Sequence, residues 1–194
     1  MILSDTGILD AMYRGEIVID PFVRHALGGN SYDVHLGETL LVYTPSRDRW
    51  FGPGGVVMPV LDAKRENPTE EISIPDDGYL LEPGVLYLAA TLEYTETHKH
   101  VPVLDGKSSV GRLGMAIHVT AGFGDVGFCN HWTMEIFVIH PVRVYAGMPI
   151  GQLRFHQVHG EVRNPYARKP GAKYAARDHK PQPSRMHKNF EKDK

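Results

Sequence analysis

Between residues 105 and 114 the chain reads Asp-Gly-Lys-Ser-Ser-Val-Gly-Arg-Leu-Gly, the densest polar cluster in otherwise strand-like surroundings. Lys107 and Arg112 supply positive charge, Ser108 and Ser109 supply hydroxyl donors, and glycines such as Gly111 let backbone N–H groups approach an anion closely. The composition suits a polyphosphate, and equally a Gly-rich connection whose charges are solvated. The leading glycine of a P-loop would fall five residues before Gly106, where the chain has Val101, so the Walker and dinucleotide-binding fingerprints are excluded.

A second candidate is a carboxylate. In His131-Trp-Thr-Met-Glu-Ile-Phe137, strand alternation puts Thr133, Glu135 and Phe137 on one face and Trp132, Met134 and Ile136 on the other. Glu135 is then either a charge facing water or a shielded acid with a raised pKa, as a base working near neutral pH requires. Asp125 sits in the Gly-rich stretch Thr120-Ala-Gly-Phe-Gly-Asp-Val-Gly-Phe128 and can be a turn former alone. His118, His131, His140, His156 and His159 lack metal-ligand spacing, and Cys129 is the only cysteine. An internal disulfide and a cysteine-based structural zinc site are therefore excluded.

These groups need a scaffold. Residues 4–15 read as a short helix, with Ser4 as N-cap, Asp5 in the first turn and Gly15 at the end. Short β-branched and aromatic segments follow, separated by Gly, Pro and Asp: 16–19, 32–36, 40–43, 84–94, 116–120, 132–139, 142–145 and 150–157. Without alternating long helices this is a mainly β protein, a jelly-roll or β-sandwich. At 194 residues, 42% of them hydrophobic, one core is expected over 1–160, with 161–194 as a flexible basic C-terminal tail. The net charge of −2 divides into −8 on the body and +6 on that tail. No apolar run is long enough to span a bilayer, and a cytoplasmic protein is expected.

Four motifs in order are more specific than any one alone: GKSSVGRLG, HVTAGFGDVGF, HWTMEIF and AGMPIGQL. With MILSD at the start, NSYDVHLG at 30–37 and LEPGVLYLAATLEY at 81–94, they resemble the dCTP deaminase family of the trimeric dUTPase-like superfamily. The resemblance runs from Met1 to about Phe155, with a weaker echo in KYAAR and PSRMHKNF. It implies a dUTPase-like homotrimer with active sites at subunit interfaces and dCTP bound as its magnesium complex, without zinc. By the same resemblance Glu135 activates the water, with Ser108 and Arg112 beside it, and Lys107, Ser109, Val110 and Gly111 hold the nucleotide. Asp125 holds the deoxyribose. Ala121, Phe128, Thr133 and Met134 line the base, while Gln152, Tyr166, Lys173 and Arg177 make further contacts. A tail closing over the nucleotide and dTTP as feedback inhibitor are also implied. Membrane and nucleic-acid partners are not.

The turn Ala121-Gly122-Phe123, with Lys before the serine pair, resembles family members that continue to dUMP and pyrophosphate rather than stopping at dUTP. Departures are visible too. The tail reads Lys173-Tyr-Ala-Ala-Arg177 where the family usually has Lys-Tyr-Gln-Gly-Gln, and Tyr32 and His35 replace a small apolar residue and Arg. A plain dUTPase and a non-catalytic nucleotide sensor or nucleic-acid-binding module are the alternatives.

Overall fold

The computed structural model describes residues 1–44 and 48–191. Helix α1 (Asp5–Tyr13) opens as its cap dictates: the Ser4 hydroxyl accepts the Gly7 N–H at 3.2 Å, Ile8 and Ala11 are buried, and Gly15 turns the chain away at φ +66. The strands are β1 (Ile17–Asp20), β2 (Tyr32–Tyr43), β3 (Arg49–Phe51), β4 (Val57–Pro59), β5 (Thr69–Ser73) and β6 (Tyr79–Leu81). They continue as β7 (Tyr87–Thr97), β8 (His100–Gly106), β9 (Met115–Ala116), β10 (Cys129–Val138), β11 (Val142–Val144) and β12 (Pro149–Gln157). One helical turn, α2 (Ser108–Gly111), interrupts them.

The mainly β architecture expected from the sequence is the one observed. An eight-stranded antiparallel sheet runs β8-β12-β2-β7-β10-β9, with β1 added to β7 and β5 to β2, and curls into a jelly-roll-like body. Tyr32, Leu36, Met134, Ile136, Leu153 and Phe155 are fully or almost fully buried at its centre. No helix among the described residues is long and apolar enough to cross a membrane.

Several boundaries differ from the sequence expectation for identifiable reasons. The strand expected over 116–120 shrinks to Met115–Ala116, because the chain bends away there and delivers the Val119 N–H to the Glu135 carboxylate at 3.4 Å. The segments at 32–36 and 40–43 are one strand, bulged where Gly37 passes within 2.9 Å of the Ala90 carbonyl by the position a Cβ would take. The 84–94 strand starts only at Tyr87, after the Pro83-Gly84 turn. β3, β4, β5, β6 and β8 were not anticipated; each is short, or carries proline or charge that weakens its pattern.

Polar groups in the core set the registers. Between His131 and Thr133 the pairing of β10 with β7 skips, leaving Thr91 to Glu93 as extra residues on β7. The Thr91 hydroxyl accepts the Trp132 backbone N–H at 3.0 Å, and the Trp132 indole donates to Thr95 Oγ1 at 3.0 Å. Glu93, with no exposed surface, accepts His35 N at 2.9 Å and lies 2.5 Å from His35 Nδ1. His35, one of the departures noted in the sequence, thus pairs with the buried Glu93.

The register turns Met134 into the core and Thr133 and Glu135 out of it. Truncating Met134→Ala is expected to cost about 2–5 kcal/mol of stability through the cavity it leaves, read as a lower urea midpoint at unchanged m-value.

Candidate active site

Above the outward face of β10 lies a cavity of about 600 Å³, within the range of roughly 300–1,000 Å³ typical of small-molecule sites. Thr133 and Glu135 form its floor, two residues apart on the same strand face. Glu135 is half-buried and accepts the Val119 N–H, which orients one carboxylate oxygen.

The wall comes from the connection between β9 and β10. Ala121, Phe123, Asp125 and Phe128 line the cavity, as does Tyr166 from the tail. Two glycines hold this wall against the body. A Cβ on Gly122 would sit 2.4 Å from the Leu104 carbonyl oxygen, and one on Gly124 would sit 2.5 Å from the Trp132 ring. The Leu104 N–H donates to the Gly122 carbonyl at 2.7 Å and the Gly124 N–H to the Pro102 carbonyl at 2.9 Å. Phe123 stays exposed at the rim, and Asp125 lies 3.8 Å from Lys169. Phe128 packs on Trp132 at 5.0 Å between ring centroids and on Tyr166 at 5.6 Å.

The other expected phosphate-binding residues gather elsewhere and do not line this cavity. Lys107 Nζ lies 2.5 Å from Asp33, whose second oxygen accepts from Gln152 Nε2 at 2.9 Å. Ser108, Ser109, Gly111 and Arg112 are exposed on and just after α2, with an Arg112 guanidinium N–H donating to Ser108 Oγ at 3.4 Å. Two expected contacts, Val110 and Met134, have buried side chains that belong to the core, so only their backbones can reach a ligand.

Residues 161–194, expected as a flexible arm, lie along the body as far as they are described; 192–194 fall outside the described residues. Asn130, only 1% exposed, holds them. Its Nδ2 donates to the Tyr174 and Ala176 carbonyls at 3.1 and 2.8 Å, and its Oδ1 accepts the Asp178 N–H at 2.9 Å. The Tyr166 hydroxyl accepts the Tyr174 N–H, and the Arg185 guanidinium donates to the Lys173 carbonyl. Arg177 stacks over Tyr94 at 4.0 Å. Sequence reasoning missed Asp33, Asn130, Tyr174 and Gln182. Asp33 lies within NSYDVHLG, Tyr174 within KYAAR and Gln182 beside the PSR run, but nothing singled out these side chains or Asn130, because a polar side chain in a strand or turn has no spacing that sets it apart.

One group of possible metal donors occurs among the described residues, Glu96, His98 and Cys129, and none of the three lines the cavity. It is closed upon itself: Tyr94 donates to one Glu96 oxygen at 2.8 Å, and His98 Nε2 lies 2.8 Å from the other. Burial and the nearby Glu96 charge push the Cys129 thiol up, which favours the protonated form over a thiolate ligand.

Replacing Asn130 by Ala removes the three partly buried hydrogen bonds that hold the tail, each worth about 1 kcal/mol. The tail should then open about tenfold or more often and be cut correspondingly faster by trypsin after Lys173 or Arg177, with unfolding in urea little changed. At the Glu96 corner, the Tyr94 hydroxyl first and His98 second hold the Glu96 carboxyl below its ordinary range. That stabilisation is complete above the ordinary carboxylate range and is lost as pH falls through the lowered value. The stability difference between wild type and Tyr94→Phe, followed by urea unfolding at a series of pH values, should accordingly shrink on acidification.

Comparison with known proteins places this geometry. A family model described as dCTP deaminase-like matches residues 2–158. A protein of Cytophaga hutchinsonii named "dCTP deaminase, dUMP-forming" is 45% identical over 99% of this chain and all of its own length. A Leptospira biflexa protein of the same name is 46% identical, covering 99% of each. Among solved structures, the 2'-deoxycytidine 5'-triphosphate deaminase of Agrobacterium tumefaciens superposes with a TM-score of 0.60 at 20% identity, over 84% of this chain and half of that one, a likeness of fold. The chain belongs to the dCTP deaminase-like family.

Proposed function

We propose that the protein hydrolyses dCTP to dUTP and ammonia and carries dUTP on to dUMP and pyrophosphate. The observation that carries this reading is the placement of Glu135: a carboxylate on the floor of a nucleotide-sized cavity, oriented by the Val119 N–H. The near-full-length relatives named as dUMP-forming dCTP deaminases, and the Ala121-Gly122-Phe123 wall, support the second step.

In the first step Glu135 takes a proton from water while the oxygen adds to C4 of cytosine. Glu135 then delivers that proton to the exocyclic nitrogen, the C4–N bond breaks and ammonia leaves. The second proton of the water ends on N3, so that one water is consumed for each ammonia released. A single carboxylate that first accepts and then donates is general acid–base catalysis in its simplest form. In the second step a further water displaces pyrophosphate at the α-phosphorus. Asp125 holds the deoxyribose, and Phe128 and Thr133 bound the base.

Magnesium enters with the substrate, carried by phosphate oxygens and water, as a hard cation without a carboxylate cage would be. Within one chain Lys107, Ser108, Ser109, Arg112 and Gln152 do not line the cavity that holds Glu135. That separation supports a homotrimer in which the cations and hydroxyls of one subunit complete the cavity of its neighbour, with Lys173 and Arg177 on the tail adding charge. dTTP, which offers the same sugar and phosphates, is the expected feedback inhibitor, and the single cysteine fits the cytoplasm as compartment.

Purified protein incubated with dCTP and magnesium should release ammonia, dUMP and pyrophosphate, separated by ion-exchange chromatography. Glu135→Gln should still bind dCTP while ammonia release falls by about 10²–10⁴-fold. Hydrolysis of dUTP without ammonia from dCTP would identify a dUTPase instead.

A further inference from the structure

Gln182 sits in the tail between two prolines, Pro181 and Pro183, and is only 8% exposed. Proline at both neighbours fixes their backbones and restricts Gln182 to an extended conformation, so the direction of its side chain is set in advance. The strap is pinned at three points. Gln182 N donates to Thr133 Oγ1 at 3.1 Å, Ser184 N to the Tyr43 hydroxyl at 3.0 Å, and Arg185 N to the Tyr174 hydroxyl at 3.0 Å. Gln182 lines the same cavity as Glu135 and Thr133. Its Oε1 is buried and has no hydrogen-bond partner among the described residues. A buried polar atom without a partner is costly, and a turn of the carboxamide that brings it to a ligand in the cavity recovers that cost.

We infer that Gln182 reads the N3 and C4-substituent edge of the pyrimidine and, by turning its carboxamide over, keeps the base in place through deamination. The inference rests on the activity proposed above. Cytosine presents an N4–H₂ donor beside an N3 acceptor; uracil presents an O4 acceptor beside an N3–H donor. The pattern therefore reverses in the reaction. A fixed donor or acceptor would match one base and repel the other, whereas a carboxamide holds one acceptor and two donors on a single plane. Rotation about its terminal torsion, which is broad and roughly two-fold, exchanges them. An enzyme that performs two hydrolyses in one cavity needs such a reversible partner, because loss of the base after the first step would release dUTP.

The test compares wild type with Gln182→Leu, which preserves size and removes the hydrogen bonds, and Gln182→Glu, which keeps acceptors and loses the donors. For each, KM and kcat are measured on dCTP and on dUTP, together with the fraction of dUTP that escapes during dCTP turnover and the rate of tryptic cleavage of the tail. With Gln182→Leu, KM should rise about tenfold on both nucleotides, kcat should change less, and free dUTP should accumulate, while tail cleavage stays at the wild-type rate. Gln182→Glu should raise KM on both nucleotides as well, since each base keeps an acceptor that needs a donor. Unchanged KM and unchanged dUTP escape would overturn the inference. So would a rise in KM that is matched by faster tail cleavage, since Gln182 would then act only by docking the strap. Wild-type protein that releases no ammonia from dCTP would overturn the proposed activity itself, and the Gln182 inference with it.

Discussion

A carboxylate without exposed surface governs the sheet. Glu93 is buried within β7, and it is tolerable there because His35 on β2 meets it twice, through backbone N–H and ring nitrogen. Isolated ions are not stable in such surroundings, so the pairing holds β2 and β7 in one alignment. The same bulge places the Thr91 hydroxyl on Trp132 N and brings Thr95 under the Trp132 indole. A one-residue slip of β10 would break these contacts and turn Glu135 into the core and Met134 into the cavity. The chemistry on the outside of the sheet depends on the polar bonds inside it.

From that alignment the cavity follows by close approach. The segment after β9 can serve as a wall only because Gly122 and Gly124 let its backbone come against Leu104 and Trp132. Asn130, at the start of the strand that carries Glu135, spends its carboxamide on the tail. Strand, wall and tail therefore share supports. The short hydrogen bonds decide where the tail rests.

The cavity of one chain is nonetheless incomplete for a triphosphate. Its lining is largely aromatic and apolar, with Glu135 and Asp125 as the charged groups on it among the described residues, while the Gly-rich run with Lys107 and Arg112 does not line it. A nucleotide needs both kinds of surface. The arrangement makes sense if copies of the chain supply each other, which would couple assembly to activity.

The all-β class, the capped first helix, the strand carrying Glu135 and the Gly-rich wall were legible in the sequence, because each rests on local chemistry: alternation, a cap hydroxyl, glycine where the backbone must come close. The ordered motifs made the family legible as well. Alternation also put Glu135 and Met134 on opposite faces, but which face would be core depended on the register with β7, set by residues forty positions away. Asp33, Asn130 and Gln182 escaped notice for a related reason. A short polar side chain acquires its role from the partner that folding brings to it, as Lys107 comes to Asp33 and the tail to Asn130. Local pattern determined the elements and their inner faces; only the tertiary structure decided which polar groups meet, because those contacts join segments that have no periodic relation along the chain.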